Sequence, residues 1–233
     1  MKIFVFFIFI TFYITLNAKE NNSLEQLLEN SVKLQAPTSK YNPLYSVKYG
    51  EFKYNIKNKY FQIKDKKAVF NICGYKKRSE LRFRREWKVE NKSGVFLEVK
   101  VRIFPLDCDE FTFLQIHADP RKCNAPNKPL LRITFIRKFK NRENYIFAII
   151  YKKNGYEKIA LGKYTALMNI RIEVKNNRLK IIFNGKNIQS DVAYWKGYYN
   201  YFKLGVYNQC KGCSEAVFYD IRTNTIFYQD INH

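Results

Sequence analysis

Along most of the chain apolar residues fall at every second position. Ile170-Arg-Ile-Glu-Val174 and Arg178-Leu-Lys-Ile-Ile-Phe183 show this plainly, joined through Asn176-Asn177. A period of two belongs to a strand with one buried and one wetted face, so these runs predict a hairpin. Asn184-Gly185 follows, a pair that tolerates positive φ and marks another tight turn. Asn154-Gly155 lies in the same way between residues 145–151 and 156–161. No helical period persists beyond residue 45. Before it, Leu24, Leu27, Leu28 and Val32 are spaced for a short amphipathic helix, which Ala36-Pro37-Thr38-Ser39 ends. Many short strands punctuated by Asn, Gly and Lys turns predict an all-β sandwich or barrel.

Residues 1–18 break the pattern. Met1-Lys2 precedes an almost unbroken apolar run over residues 3–16, and Asn17-Ala18 follows. A charged start, an apolar stretch and a small residue at the cut are the layout of a secretory signal peptide. The run is about 14 residues, shorter than the roughly 20 that a spanning helix needs. The expected division is therefore a signal peptide over 1–18, an N-terminal extension over 19–44 and one β domain over 45–233. The mature chain is expected outside the cytoplasm, periplasmic or extracellular, as a monomer with no stable membrane insertion.

Charge narrows the partner. The chain of 233 residues holds 42 Lys and Arg against 20 Asp and Glu, a formal net charge of +22. Loss of Lys2 with the signal leaves 22 − 1 = +21. A hydrophobic fraction of 46% is enough for a real core and excludes wholesale disorder. An exported basic domain predicts a polyanion outside the cell, an acidic polysaccharide above all. Nucleic acid is not expected, because export removes the opportunity and no nucleic-acid motif is present.

Export also permits disulfides. The five cysteines are Cys73, Cys108, Cys123, Cys210 and Cys213. An odd number leaves at least one without an internal partner. Cys108 and Cys123 flank the segment 111–117 and are placed to staple its loop. Cys210-Lys-Gly-Cys213 reads as a structural disulfide or plain thiols. No βαβ pattern surrounds it for redox work, and two histidines are too few for a zinc site. No metal or other cofactor is expected.

Three strand-like segments carry chemistry on the face opposite their apolar side. In Arg78-Ser-Glu-Leu-Arg82, residues Arg78, Glu80 and Arg82 share one face and Leu81 the other. In 111–117, Gln115 and His117 oppose Leu114 and Ile116. In 201–209, Tyr201, Lys203, Gly205, Tyr207 and Gln209 oppose Phe202, Leu204 and Val206. Gly205 removes a side chain in mid-row and leaves space for a close approach to the backbone. His117 and His233 are the two histidines, and a histidine beside Gln115 suits proton transfer near neutral pH. Were the three strands neighbours, their sheet would carry a cationic, hydrogen-bonding face.

Arg78-Ser-Glu-Leu-Arg82, Gln115-Ile-His117 and Tyr201-Phe-Lys-Leu-Gly-Val-Tyr-Asn-Gln209 resemble, in order, three signature motifs of the alginate lyases of polysaccharide lyase family 7. The resemblance spans about residues 50–229. It implies a jelly-roll β-sandwich whose concave face binds the polymer. It implies β-elimination, which cleaves a 4-linked uronate chain without water and leaves an unsaturated sugar. By matching position, Arg78 and Gln115 meet the C5 carboxylate, and His117 and Tyr207 transfer protons. Glu80, Arg82, Tyr201, Lys203 and Gln209 bind substrate or hold the site together. Which of His117 and Tyr207 is the base stays open. Ile116 is the variant associated with guluronate-containing blocks. The alternatives are a lyase of this fold on another polyuronate, such as a glucuronan, and a non-catalytic module that binds acidic glycans.

Overall fold

A computed structural model describes residues 24–40, 46–52 and 57–226. The signal peptide expected over residues 1–18 lies outside the described residues, as does His233. In chain order the elements are α1 (Leu24–Asn30), β1 (Val32–Gln35), β2 (Phe61–Lys64), β3 (Lys67–Cys73), β4 (Arg78–Phe83), β5 (Val95–Phe104) and β6 (Glu110–Ala118). There follow α2 (Pro120–Cys123), β7 (Pro129–Phe139), β8 (Arg142–Lys152), β9 (Gly155–Lys163), β10 (Met168–Lys175), β11 (Arg178–Phe183) and β12 (Lys186–Asp191). A 3-10 turn over Ala193–Trp195 leads into β13 (Asn200–Asn208) and β14 (Cys213–Thr223).

The strands form two seven-stranded antiparallel sheets, ordered β1-β4-β13-β6-β7-β8-β9 and β12-β11-β10-β5-β14-β3-β2. The predicted hairpins are present: β10 pairs β11, β11 pairs β12, and β8 pairs β9. Their turns use positive φ at Asn176, Asn177, Asn184, Gly155 and Gly185, as the residue types foretold. The sheets stack as a jelly-roll sandwich. Leu81, Leu114, Ile116, Phe202 and Leu204 of the first sheet meet Val99, Val101, Ile170, Ile172 and Phe218 of the second in one buried cluster. Each such side chain contributes roughly 1.5–3 kcal/mol by leaving water. The alternation that fills this core also fixes which side chains point outward from the first sheet.

Two expectations are corrected here. The helix stops at Asn30, and Val32 begins a strand instead. Both periods bury Val32, but β1 also pairs its backbone with β4 at Lys33↔Arg82 and Gln35↔Glu80. Residues 32–35 of the expected extension thus form the edge strand of the first sheet.

The disulfides also differ. Cys73 is bonded to Cys213 and Cys108 to Cys210, while Cys123 is a free thiol. Cys108 cannot reach Cys123, because the nine residues of β6 lie between them, roughly 30 Å of extended chain. Cys213 is instead the register partner of Cys73 on the adjacent strand. Each cross-link closes a long loop, with separations of 140 and 102 residues. Loss of either is expected to cost roughly 4–5 kcal/mol by the chain-entropy argument. Thermal unfolding with and without reductant checks this, and an unchanged Tm would refute it.

Candidate active site

The three motifs lie on β4, β13 and β6, which are consecutive in the first sheet. Their polar residues meet in register. Lys203 sits opposite Arg82 on one side and Gln115 on the other. Tyr207 is opposite Arg78, Gly205 opposite Glu80, and Tyr201 opposite His117. Neighbouring strands lie about 4.8 Å apart, so side chains of one row are in mutual reach. All nine site residues named from the sequence fall on this outer face, turned away from the core.

Glu80 is the hub of the central group. Its carboxylate accepts from Arg78 Nη1 at 3.2 Å, and from Lys203 Nζ and Gln115 Nε2. Glu80 and Lys203 are both almost wholly buried. Burial pushes the Glu80 carboxyl up, but Lys203 and Arg78 more than offset this and hold it below its ordinary value. For Lys203 burial dominates and lowers the ammonium, with the Glu80 charge opposing. The Arg78 Nε is buried without a partner, so Glu80 fixes this guanidinium without saturating it. Arg78 also lies over the Tyr207 ring, 4.4 Å from its centroid.

A second network fixes the far end of the row. Arg82 Nη2 donates to Glu86 Oε1 and to Asp119 Oδ2, each at 2.9 Å. Arg121 clamps Asp119 through its Nε at 3.0 Å and Nη2 at 2.8 Å, and Lys122 pairs with Glu86 at 2.8 Å. The Arg82 guanidinium lies 3.8 Å from the Tyr201 centroid. Tyr201 in turn stacks on His117, with centroids 5.7 Å apart and planes 18° apart. Burial pushes the Tyr201 phenol up to about 12. Tyr201 and Arg82 therefore orient the His117 ring and are held within the protein. Neither Asp119 nor Glu86 was singled out from the sequence. Asp119-Pro120 directly after a strand was the missed signal, since Asp before Pro marks a helix start.

His117 keeps one ring nitrogen free of the protein's own hydrogen bonds among the described residues. Its Nδ1 lies 2.7 Å from the Ala118 carbonyl oxygen. A carbonyl only accepts, so Nδ1 carries the proton and the Nε2 lone pair is left available. Burial, and next the Lys203 charge, push the imidazolium down to about 4. The ring is therefore neutral across the physiological range. At the other end of the face, Gln209 Nε2 donates to Thr112 Oγ1 at 3.2 Å, and Thr112 also bonds Thr134 at 2.8 Å.

Gly205 and Ile116 bear on this face through the backbone. Gly205 makes room, but for the protein's own strand. A Cβ there would lie 2.2 Å from the Ser79 carbonyl oxygen, and its φ of +138° is strained for any side chain. A bulge against β6 falls beside it, between Leu204 and Tyr207. Ile116 is fully buried in the inter-sheet core, so it acts on this face only through the backbone of Gln115 and His117.

The face thus joins a neutral imidazole, a phenol and carboxylate-binding donors, the set needed to remove and return protons beside an anion. The sequence model of a family described as alginate lyase matches residues 27–225. A curated alginate lyase from Photobacterium sp. (strain ATCC 43367) is 29% identical in an alignment of 204 residues, gaps included, that covers 71% of this chain and 71% of that one. The solved structure of alginate lyase AlyC3 in complex with dimannuronate superposes with a TM-score of 0.77 at 22% identity, covering 89% of this chain and 94% of that one. Family 7 alginate lyase A1-II′, solved in complex with product (GGG), superposes with a TM-score of 0.70 at 17% identity, covering 88% and 98%. With its three motifs assembled in one register and almost its whole described length matched, this chain belongs to the alginate lyases of polysaccharide lyase family 7.

Proposed function

We propose that the chain is an exported alginate lyase that cleaves guluronate-containing blocks by β-elimination, with His117 as base and Tyr207 as acid. The observation that supports the roles is the tautomer of His117, whose Nε2 lone pair is left free two residues along β6 from Gln115. The proton to be taken lies α to the C5 carboxylate and is only weakly acidic. The Arg78 guanidinium offsets the charge that builds on the carboxylate oxygens, and the second amide hydrogen of Gln115 stabilises it by a hydrogen bond. His117 Nε2 takes the C5 proton, and the released electron pair forms the C4–C5 double bond. The C4–O4 bond breaks, and the Tyr207 hydroxyl returns a proton to O4. Lys203 and Glu80 hold Arg78 and Gln115 in place, while Gln209 steadies the Thr112 end of the face.

Export is supported by the signal layout of residues 1–18 and by two disulfides, which persist in oxidising compartments. A monomer acting alone fits a site drawn from one chain. The guluronate preference rests on the Gln115-Ile116-His117 variant of the motif. The mature chain's charge, 22 − 1 = +21, would concentrate an anionic polymer and make the rate fall with salt. The deciding experiment follows the ultraviolet absorbance of the unsaturated product. Purified protein meets polyguluronate, polymannuronate, mixed alginate, glucuronan and pectate. A faster rise on guluronate blocks supports the reading. A rise on mannuronate alone removes the block preference, and binding without product on every polymer removes the chemistry.

The pH profile is a further expectation. A base held near 4 stays competent in mild acid, so kcat/KM should hold down to about pH 5 and fall as pH drops through about 4. An acid limb centred at the ordinary histidine value of 6.5 would contradict the assignment. Stability has the same sign. Between about 4 and 6.5 the unfolded chain binds the His117 proton more readily, so stability rises with pH across that window. Glu80, with its lowered carboxyl, adds stability at neutral pH that acid also removes.

A further inference from the structure

We infer that Arg132, Lys128 and Tyr156 form a second binding subsite, on the β7–β9 side of the reaction centre, for another uronate unit of the same polymer. This rests on the reading that the outer face binds a polyuronate. Arg132 is the register partner of Gln115, so it stands on the same face one strand further along. Thr134, two residues on, confirms the facing by its bond to Thr112.

What sets Arg132 apart is its missing counter-charge. Arg78 is paired with Glu80, Arg82 with Glu86 and Asp119, and Lys203 with Glu80. Arg132 is half-buried, forms no ion pair among the described residues, and has a buried Nε with no hydrogen-bond partner. Holding a cation this way is costly unless an anion meets it. The guanidinium lies 5.2 Å from the centroid of Tyr156 on β9, and the Lys128 ammonium lies 6.0 Å from the same ring. Lys128 also forms no ion pair among the described residues. The adjacent acid, Glu157, is paired with Lys152 at 3.3 Å.

Tyr156 is 41% exposed and lies between the two cations. Tyr151 braces it edge-on, with centroids 5.3 Å apart. An exposed ring flanked by two unneutralised cations matches a sugar that presents a C–H face and a carboxylate together. A 4-linked uronan carries one carboxylate on every sugar. A chain whose reacting carboxylate meets Arg78 and Gln115, and which runs across the strands, places a later carboxylate at Arg132. Strand spacing of about 4.8 Å makes β7 to β9 the next stretch of that path.

The test is steady-state kinetics on polymer and on a ladder of short oligomers, for Arg132→Gln, Arg132→Lys, Tyr156→Ala and Lys100→Gln. Lys100 is exposed on β5 of the other sheet and controls for net charge. Arg132→Gln and Tyr156→Ala are expected to raise KM on polymer about tenfold, the scale of one partly screened charge-assisted contact, with kcat changed far less. The penalty should vanish on oligomers too short to reach β7. Arg132→Lys should recover part of it, and serves with Tyr156→Ala if the Gln variant fails to fold. An unchanged KM in both, or an equal rise in Lys100→Gln, overturns the subsite. If the wild-type protein forms no product from any polyuronate, the lyase reading falls instead. Wild-type turnover with unaltered variants sinks only the subsite.

Discussion

Tyr207→Phe is expected to lower kcat by about 10²–10⁴ while leaving the fold intact, the range general acid–base groups supply. Among the described residues the Tyr207 hydroxyl makes no hydrogen bond, so removing it leaves no partner stranded. Its ring remains under Arg78, whose guanidinium is 4.4 Å from the centroid. A lost rate with an unchanged melting temperature therefore reports chemistry and not collapse. His117→Ala should cost a similar factor, and the double variant little more than either, because base and acid act together in one elimination step. The measurement is turnover of alginate by single and double variants, beside their Tm. Near-normal turnover by Tyr207→Phe would remove it as the acid. Strictly additive losses would separate the two roles.

The second large effect concerns Glu80, which touches no substrate in this account. Glu80→Ala strands the Lys203 ammonium in a buried site and frees Arg78 and Gln115 together. Breaking a buried pair from one side costs roughly 3–5 kcal/mol, a large share of a domain's stability. Turnover should be lost as well, since both carboxylate-binding groups lose their anchor. Glu80→Leu with Lys203→Met distinguishes the two losses. The double variant removes both charges, so stability should return while activity does not. Urea unfolding and the lyase assay read these separately. An active double variant would show that Glu80 and Lys203 only fill space.

Much of this arrangement was legible in alternation alone. Leu81, Leu114 and Leu204 marked the inward face, which fixed Glu80, Gln115 and Lys203 on the outer one. Asn154-Gly155 and Asn184-Gly185 located turns by backbone chemistry. The adjacency of β4, β13 and β6 was not legible, because pairing between residues 78–82, 115–117 and 201–207 is non-local and no single segment encodes it. The motif resemblance supplied it instead. The cysteine pairing failed for a related reason. Cys108 and Cys210 are neighbours only after two loops, each crossing from one sheet to the other, come together, whereas Cys108 and Cys123 are close only along the chain. Val32 was misplaced because spacings of four and of two agree on its burial, and only pairing with Phe83 decides between them. Arg132 escaped notice because an arginine on a strand looks ordinary until its lack of an acid is seen.

Gly205 bears on how descendants of such a chain would be recognised. Its Cβ would strike the Ser79 carbonyl of the neighbouring strand, so glycine is required there for β13 to lie against β4 at all. That requirement is indifferent to catalysis. A lineage that abandoned cleavage and kept only the sandwich would be free to drift at His117 and Tyr207, yet would still be bound to glycine at this position. A match at the glycine therefore diagnoses ancestry and architecture, and only the pair proposed to transfer protons diagnoses a living enzyme.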